Sequence, residues 1–211
     1  MQPNINIPYM TIWNERYNQE DYAFGTAPNV YFKSIIDTLK PGRLLVPGAG
    51  EGRDAVYAAT LGWQVDAFDL SIVGKEKALQ LAKNQGVNIE YQMQDVAQFE
   101  GTGAGYDLAA IIYLHLPPDL RRDFFGRLHH FLLPGGLVVL EGFNPLQISL
   151  TSGGPKDPTM LLTPEILQTE LRNIQPLENC QTRLILNEGP LHQGEAEVVR
   201  YLGRFNPYLP C

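Results

Sequence analysis

The sequence is poor in cysteine: two of its 211 residues, Cys180 and Cys211, are cysteines. Two cysteines are too few for a disulfide framework. Its first residues, Met1–Pro8, lack the basic and apolar regions of a signal peptide. No apolar run approaches the roughly 18 residues of a membrane-spanning helix. We therefore expect a cytoplasmic protein with no membrane partner.

Basic residues are also scarce, 16 against 23 acidic ones, giving a formal net charge of −7. Proteins that bind the phosphate backbone of nucleic acids present a basic surface, and no cluster of lysine or arginine supplies one here. The sequence has no spacing typical of a metal site and no G-x-S-x-G hydrolase motif. We expect a small-molecule substrate, no nucleic acid and no metal.

The remaining composition is that of an ordinary globular protein, with 44% hydrophobic and 18% charged residues. A chain of this length forms one domain with a sizeable core. We therefore expect a single domain over residues 1–211, as a monomer or a homodimer.

Three glycines alternate with other residues after an apolar segment. Gly48, Gly50 and Gly52 follow a predicted buried strand at 43–47 and precede a helical pattern at 53–61. Glycine lets the backbone approach a ligand closely because it has no Cβ and tolerates positive φ. The free N–H groups and the dipole of the following helix favour a polar ligand there.

Asp69 ends the next predicted strand, at 64–69, and lies 21 residues after Gly48. A carboxylate about 20 residues after such a turn meets ribose hydroxyls in nucleotide-binding βαβ units. The alternative is that Asp69 caps the helix after Leu70, although Ser71 can do this itself. The spacing favours a bound nucleoside.

The position of the third glycine helps to identify that nucleoside. The dinucleotide fingerprint requires a glycine at position 53, where this chain has Arg53. No Gly-Lys-Ser/Thr follows either, which argues against a phosphate-binding P-loop. Two alternatives remain open, an NAD-type oxidoreductase and a non-catalytic nucleoside-binding module.

Two further carboxylates are candidates for ligand contacts. Asp95 follows the third predicted strand, at 88–92, where it can accept from an adenine amino group while the Val96 amide faces the ring. The alternative for Asp95 is an ordinary turn residue. Asp54 either complements the helix dipole or faces the ligand's ammonium group, and both can hold together.

Tyr113 and His115 stand at the end of a nearly continuous apolar segment at 106–113. Ligands of open α/β sheets bind beyond the carboxyl ends of the strands. His115 can serve there as a general base. It can equally be a turn histidine that is hydrogen-bonded to the backbone.

The predicted elements alternate between strand and helix and then end in a hairpin. Further strands are predicted at 137–143, 182–187 and 195–205, and further helices at 30–39, at 73–85, from Pro118 to a stop at Pro134-Gly135-Gly136, and from Pro164 after the cap Thr163. This order predicts an α/β fold, a doubly wound sheet with an antiparallel edge.

Four sequence motifs together resemble class I S-adenosylmethionine-dependent methyltransferases. They are Leu45–Asp54 (LVPGAGEGRD), Asp69–Ser71, Gln94–Val96 and Pro134–Gly136. Val46-Pro47-Gly48, Asp54 and the later Gly153-Gly154-Pro155 look like the thiopurine and thiol methyltransferase group. Segments 13–29 and 192–200 look like the tellurite-resistance methyltransferases.

The resemblance implies a Rossmann-like seven-stranded sheet in the order 3-2-1-4-5-7-6, its last strand antiparallel, with helices on both faces. It implies a lid at about 9–40 and S-adenosyl-L-methionine as cofactor. The implied cofactor-binding residues are Trp13, Arg16, Gly25, Gly48, Ala49, Gly50, Gly52, Asp54, Asp69, Leu70, Asp95, Val96 and Tyr113. The implied catalytic residues are His115 and Tyr113.

The implied reaction is methyl transfer to a small-molecule acceptor, with a soft sulfur, selenium or tellurium nucleophile as one candidate. One position departs from the pattern. Many class I enzymes have an acid two residues before the first glycine, where this chain has Val46. The amino group of the ligand must then be met by backbone carbonyls or by Asp54.

Overall fold

The computed structural model of the chain describes residues 7–208, and the predictions for residues 1–6 and for Cys211 fall outside this range. Its strands are β1 (Arg43–Pro47), β2 (Gln64–Asp69), β3 (Glu90–Met93), β4 (Tyr106–Ile112), β5 (Leu132–Phe143), β6 (Ile174–Asn187) and β7 (Gln193–Phe205). Its α-helices are α1 (Ile7–Tyr17), α2 (Val30–Ile36), α3 (Arg53–Thr60), α4 (Ile72–Asn84), α5 (Pro118–Phe131) and α6 (Pro164–Glu170). Three 3₁₀ helices lie at Val96–Gln98, Pro145–Ser149 and Pro158–Met160.

The strands form one sheet in the order β3-β2-β1-β4-β5-β7-β6. Neighbours from β3 through β5 pair in parallel. Strand β7 runs antiparallel to both β5 and β6. The predicted fold is confirmed in both strand order and strand direction.

Helices cover both faces of the sheet because successive side chains of a strand point to opposite sides. Leu45 of β1 packs in one buried cluster with Phe124 and Leu128 of α5. Its neighbour Leu44 packs in a second cluster with Val56 of α3. The two clusters form a hydrophobic core on each side of the sheet, as a doubly wound fold requires.

Side-chain caps start three of the helices. Asn29 accepts from the amide of Phe32 at the start of α2, and Ser71 accepts from the amide of Gly74 at the start of α4. Thr163 caps α6, whose first residue is Pro164. The helix starts that the sequence predicts at 30 and at 164 are confirmed.

The bounds of β1 and β2 and the start of β4 agree with the prediction, β3 starts two residues later than predicted, and β5, β6 and β7 start earlier. β5 begins at Leu132 rather than at 137, because Leu132 pairs with Tyr106 of β4 before the register shifts. β6 begins at Ile174 rather than at 182, because its largely exposed first half pairs with β7. Pairing with a distant strand extends both elements beyond their apolar segments.

Candidate active site

A cavity of about 630 Å³ opens beyond the carboxyl ends of the strands. Its walls include the turn after β1, the ends of β2, β3, β4 and β5, helix α1 and the loop between β6 and β7. The strand order reverses between β1 and β4, and ligands of open α/β sheets bind at such a switch point. Of the fourteen predicted site residues, thirteen line this cavity, and Gly52 does not.

Gly50 and Gly52 serve different purposes in the glycine turn. Gly50 lines the cavity with φ +53°, and a Cβ there would lie 2.7 Å from the hydroxyl oxygen of Tyr17. Gly52 has φ +84°, and a Cβ there would lie 2.5 Å from the Cβ of Ala78 in α4. Gly52 does not line the cavity and instead lets α3 pack closely against α4, and its contact with the cofactor stays a prediction.

Asp69 is buried at the end of β2 and braces the glycine turn. Its Oδ2 accepts from the amide of Gly50 at 3.0 Å, and its Oδ1 accepts from the amide of Ser71 at 2.9 Å. Ser71 itself caps α4, so the helix does not need Asp69 as its cap. A carboxylate has about four acceptor positions. Asp69 therefore retains capacity for a ligand while it holds the turn.

Burial affects the pKa of Asp69. Desolvation raises this pKa above its usual value, while hydrogen bonds from the backbone amides of Ser71, Gly50 and Leu70 oppose the rise. These amides favour the charged form, which is the form that accepts hydrogen bonds from two ribose hydroxyls.

Asp95 and Asp54 line the cavity and also bind the backbone. Asp95 Oδ1 accepts from the amide of Ala97 at 2.9 Å and starts the short helix at Val96–Gln98. Asp54 Oδ1 accepts from the amide of Asn29 at 2.7 Å, so it holds the N-terminal segment against α3. Neither prediction for Asp54 included this contact, which joins residues 25 positions apart.

Tyr113 lies at the end of β4 in a left-handed backbone conformation, with φ +52°. Its hydroxyl donates to Glu141 Oε1 at 3.0 Å, and its ring packs edge-on against His192 at a centroid distance of 4.5 Å. Burial raises the pKa of Tyr113 well above its usual value, and the charge of Glu141 raises it further. Tyr113 is therefore a neutral wall of the cavity.

Both ring nitrogens of His115 are engaged by the backbone. Nδ1 lies 3.1 Å from the carbonyl oxygen of Met160, and Nε2 accepts from the amide of Phe143 at 3.2 Å. Burial lowers the pKa of His115 to about 4. This geometry corresponds to the turn histidine among the two predicted alternatives and leaves no free lone pair for a general base.

The N-terminal segment brings three predicted residues to the cavity. Trp13 stacks on Tyr17 with ring centroids 5.4 Å apart, and the guanidinium of Arg16 lies 4.6 Å from the Trp13 ring. Gly25 has φ +70° and lies against Gly189 of the β6–β7 loop. α1 and that loop therefore face the cavity together.

Sequence reasoning assigned no role to Arg53, Glu188 or His192. Arg53 donates to Glu188 Oε2 at 2.9 Å and to the carbonyl oxygen of Phe24 at 3.1 Å. His192 Nδ1 is buried without a hydrogen-bond partner, 3.7 Å from Glu188 Oε2. In the sequence, the signal for this contact was Arg53 in place of the third glycine. Its partner, Glu188, lies 135 residues away and could not be identified from local patterns.

The geometry of the described residues bears on membranes and metals as well. No helix in residues 7–208 is both long and apolar enough to cross a membrane. In the same range, no three His, Cys, Asp or Glu side chains are grouped so that they could hold a metal ion.

Comparison with protein families identifies the central part of the chain. Residues 45–136 match the model of a family described as a methyltransferase domain. This part of the chain is therefore similar to methyltransferase domains. The match contains the glycine turn, Asp69 and Asp95. No curated protein matches the sequence significantly.

Solved structures with the same fold include several methyltransferases. NodS from Bradyrhizobium japonicum WM9, an N-methyltransferase in complex with S-adenosyl-L-homocysteine, has a TM-score of 0.70 at 15% identity, over 94% of this chain and 98% of that one. TehB from Haemophilus influenzae has a TM-score of 0.70 at 15% identity, over 92% of this chain and 66% of that one.

A third structure concerns the conversion of a disulfide bond into a thioacetal group during echinomycin biosynthesis. Its TM-score is 0.75 at 16% identity, over 96% of this chain and 92% of that one. Together with the family match, these structures confirm the predicted fold of a class I methyltransferase. Because the identity of these structures to this chain is low, they support the fold and do not identify the methyl acceptor.

Proposed function

We propose that this protein transfers a methyl group from S-adenosyl-L-methionine to a small-molecule acceptor that carries a soft nucleophile. The observation that carries the proposal is Asp69, which is fixed by the amides of Gly50 and Ser71 and faces the cavity of the methyltransferase domain. A carboxylate at the end of this strand suits a hydrogen bond from a ribose hydroxyl.

The residues of the cavity fit this cofactor in charge and in size. Four carboxylates line it, from Glu51, Asp54, Asp69 and Asp95, which suits a ligand that carries an ammonium and a sulfonium group. Its volume of about 630 Å³ lies inside the range of roughly 300–1,000 Å³ for ligand sites.

The cavity has two halves that match two ligands. The cofactor half lies at the ends of β1, β2 and β3, where the glycine turn, Asp69 and Asp95 stand. The acceptor half lies at the ends of β4 and β5 and at the β6–β7 loop, where Tyr113, Phe143 and His192 stand. We place the methionine part of the cofactor at the border between them.

When bound, S-adenosyl-L-methionine supplies a methyl group on a sulfonium, whose sulfur keeps the bonding electron pair after transfer. The acceptor's lone pair forms the new bond, and any proton on its nucleophilic atom leaves to solvent or to a base. The protein's contribution is alignment and exclusion of water. We assign this exclusion to the lid at about 9–40, with Trp13 and Arg16 over the cavity.

A soft acceptor is compatible with the histidines of the site. A thiol has a pKa near 8.5 and forms a strong nucleophile without a powerful base. His115 cannot accept a proton without losing a backbone hydrogen bond. His192, whose Nδ1 is buried and has no hydrogen-bond partner, is better placed to take a proton where the acceptor has one.

Cofactor affinity in variants of Asp69 tests the proposal. Replacing Asp69 by alanine removes the carboxylate that meets the ribose, so we expect the affinity for S-adenosyl-L-homocysteine to fall by about 1–3 kcal/mol. Asp69→Asn keeps the shape and should lose less. Isothermal titration calorimetry measures both. The matched control is Asp66→Ala on the same strand, since Asp66 pairs with Arg43 at 2.6 Å and does not line the cavity.

Binding of S-adenosyl-L-homocysteine that is unchanged in Asp69→Ala, with the fold intact by circular dichroism, would overturn the assignment. Tight binding of NADH in place of S-adenosyl-L-homocysteine would favour the oxidoreductase alternative instead. The wild-type protein should also release labelled methyl product when acceptors are supplied.

A further inference from the structure

The acceptor half of the cavity is built from aromatic and aliphatic side chains. Tyr113 and Phe143 lie at the ends of β4 and β5, with ring centroids 4.7 Å apart. Met160 and Leu191 come from the neighbouring loops and Ile12 from α1. The hydroxyl of Tyr113 is turned to Glu141, so this ring presents carbon rather than a polar atom. The walls are suited to an apolar body.

The cationic side chains that line the cavity are committed elsewhere. Arg53 is 8% exposed and is held by Glu188 and by the carbonyl oxygen of Phe24. Arg16 belongs to α1, is exposed and stacks on Trp13. Among residues 7–208, no other lysine or arginine lines the cavity. The elements of the acceptor half, β4, β5 and the β6–β7 loop, therefore contribute no lysine or arginine to the lining among the described residues.

The two histidines of the acceptor half are also uncharged near neutral pH. Burial lowers the pKa of His115 to about 4, despite a hydrogen bond to Met160 that opposes it. Burial likewise lowers the pKa of His192, although Glu188 opposes the change. The lining as a whole has four carboxylates against two guanidinium groups, which repels anions.

The mouth of the cavity carries exposed apolar side chains. Ile12 is 50% exposed and Leu191 is 43% exposed, and both also line the cavity. Exposed apolar groups at the rim of a site mark the path of an apolar ligand. The acceptor half is therefore continuous with an apolar rim on α1 and the β6–β7 loop.

From this arrangement we propose that the acceptor is an uncharged molecule with an apolar body, which packs on Tyr113 and Phe143 and extends towards the exposed side chain of Leu191. Oxyanions such as tellurite and selenite, and thiols with a carboxylate beside the sulfur, are poor acceptors. This inference rests on the proposed function, because it names the acceptor class of the same site.

A matched pair of thiols tests the inference. Thiophenol and 2-mercaptobenzoate share one ring, and at about pH 5.5, where both thiol groups are protonated, they differ by the charge of a carboxylate next to the sulfur. We expect thiophenol to bind the protein loaded with S-adenosyl-L-homocysteine at least about tenfold more tightly by calorimetry, because burying an unpaired charge is costly. With S-adenosyl-L-methionine, kcat/KM for methylation should favour thiophenol by a similar factor, and tellurite and selenite should give no methylated product above background.

A charge placed at the rim provides the second measurement. Leu191→Lys puts a cation beside the acceptor half and should reduce the preference for thiophenol over 2-mercaptobenzoate by about threefold or more. The control is Leu177→Lys on β6, because Leu177 is 51% exposed and does not line the cavity. Binding of S-adenosyl-L-homocysteine should be the same in both variants and in the wild-type protein.

Three results would overturn the inference: equal or better use of 2-mercaptobenzoate, methylation of tellurite or selenite at a rate comparable with thiophenol, or no binding of thiophenol to the loaded protein. A chain that does not bind S-adenosyl-L-homocysteine at all contradicts the proposed function itself. The calorimetric titration of the cofactor product is therefore performed first, and it distinguishes the two failures.

Discussion

Arg53 and Glu188 form a buried ion pair at 2.9 Å, although 135 residues separate them in the sequence. Arg53 opens α3 directly after the glycine turn, and Glu188 follows β6 in the loop above the cavity. Asn29 also donates to Glu188, at 3.0 Å. One carboxylate therefore joins α3, the N-terminal segment and the β6–β7 loop around the mouth of the site.

The ion pair predicts a pH-dependent stability. Burial acts to raise the pKa of Glu188, but the neighbouring His192 and the charge and hydrogen bond of Arg53 outweigh it and hold the pKa at about 2, below the usual 4.5. A carboxylate with a lowered pKa stabilises the fold above pH 4.5, and this contribution of about 3 kcal/mol is lost as the pH falls to about 2.

Replacing Glu188 by glutamine tests the pH-dependent contribution of this carboxylate to stability. At pH 7, Glu188→Gln removes the charged hydrogen bond from Arg53 and leaves Asp54, at 3.6 Å, as its remaining carboxylate, so the free energy of unfolding should fall by about 1–3 kcal/mol. The difference from wild type should shrink between pH 4.5 and 2, as followed by urea unfolding at several pH values. Glu90→Gln on β3 removes an exposed carboxylate and serves as the control. A difference that is independent of pH would contradict the prediction.

The crowded position of Gly50 predicts that one added methyl group at the turn lowers the stability of the fold. Gly50→Ala should cost about 2–4 kcal/mol, because alanine is strained at φ +53° and its Cβ would press on the Tyr17 hydroxyl. Thermal and urea unfolding measure this cost in stability. Titration with the cofactor measures how far the altered turn weakens cofactor binding.

Gly86→Ala is the matched control for Gly50→Ala. Gly86 has φ +68°, yet a Cβ there meets nothing within 4 Å, so only the backbone strain of about 1–2 kcal/mol remains. Tyr17→Phe, which removes the hydroxyl oxygen, should partly rescue Gly50→Ala. Equal costs at Gly50 and Gly86 would show that the close approach of Tyr17 has no consequence.

The two backbone hydrogen bonds of His115 predict a structural role. His115→Gln should lower the free energy of unfolding by about 1–3 kcal/mol, because it disturbs the bonds to Met160 and Phe143. The pH profile of methyl transfer should keep its shape. A profile that loses an ionisation near neutral pH would restore His115 as a base.

The same variant should change acid stability. The pKa of His115 is about 4 in the folded protein and 6.5 in its ordinary state. A histidine that is kept neutral stabilises the fold above pH 6.5, and this contribution is lost as the pH falls from 6.5 to 4. His115→Gln should therefore flatten the decline in stability in this range. Unfolding curves at pH 7, 5.5 and 4.5 report the difference.

Local patterns in the sequence predicted much of this protein. The bounds of β1 and β2, the turn at Gly48–Gly52 and the position of Asp69 follow from apolar segments, glycines and spacing within about 30 residues. Such features depend on neighbours along the chain, which the sequence displays directly. The resemblance to class I methyltransferases added the strand order, which the structure confirms.

Only the tertiary structure decided which distant groups meet. It paired Arg53 with Glu188, turned both nitrogens of His115 to the backbone and assigned Gly52 to helix packing. It also extended β5 and β6 by pairing with strands far along the chain. A buried charge or a close helix contact has many candidate partners in a sequence, and the fold selects one by bringing their backbones together.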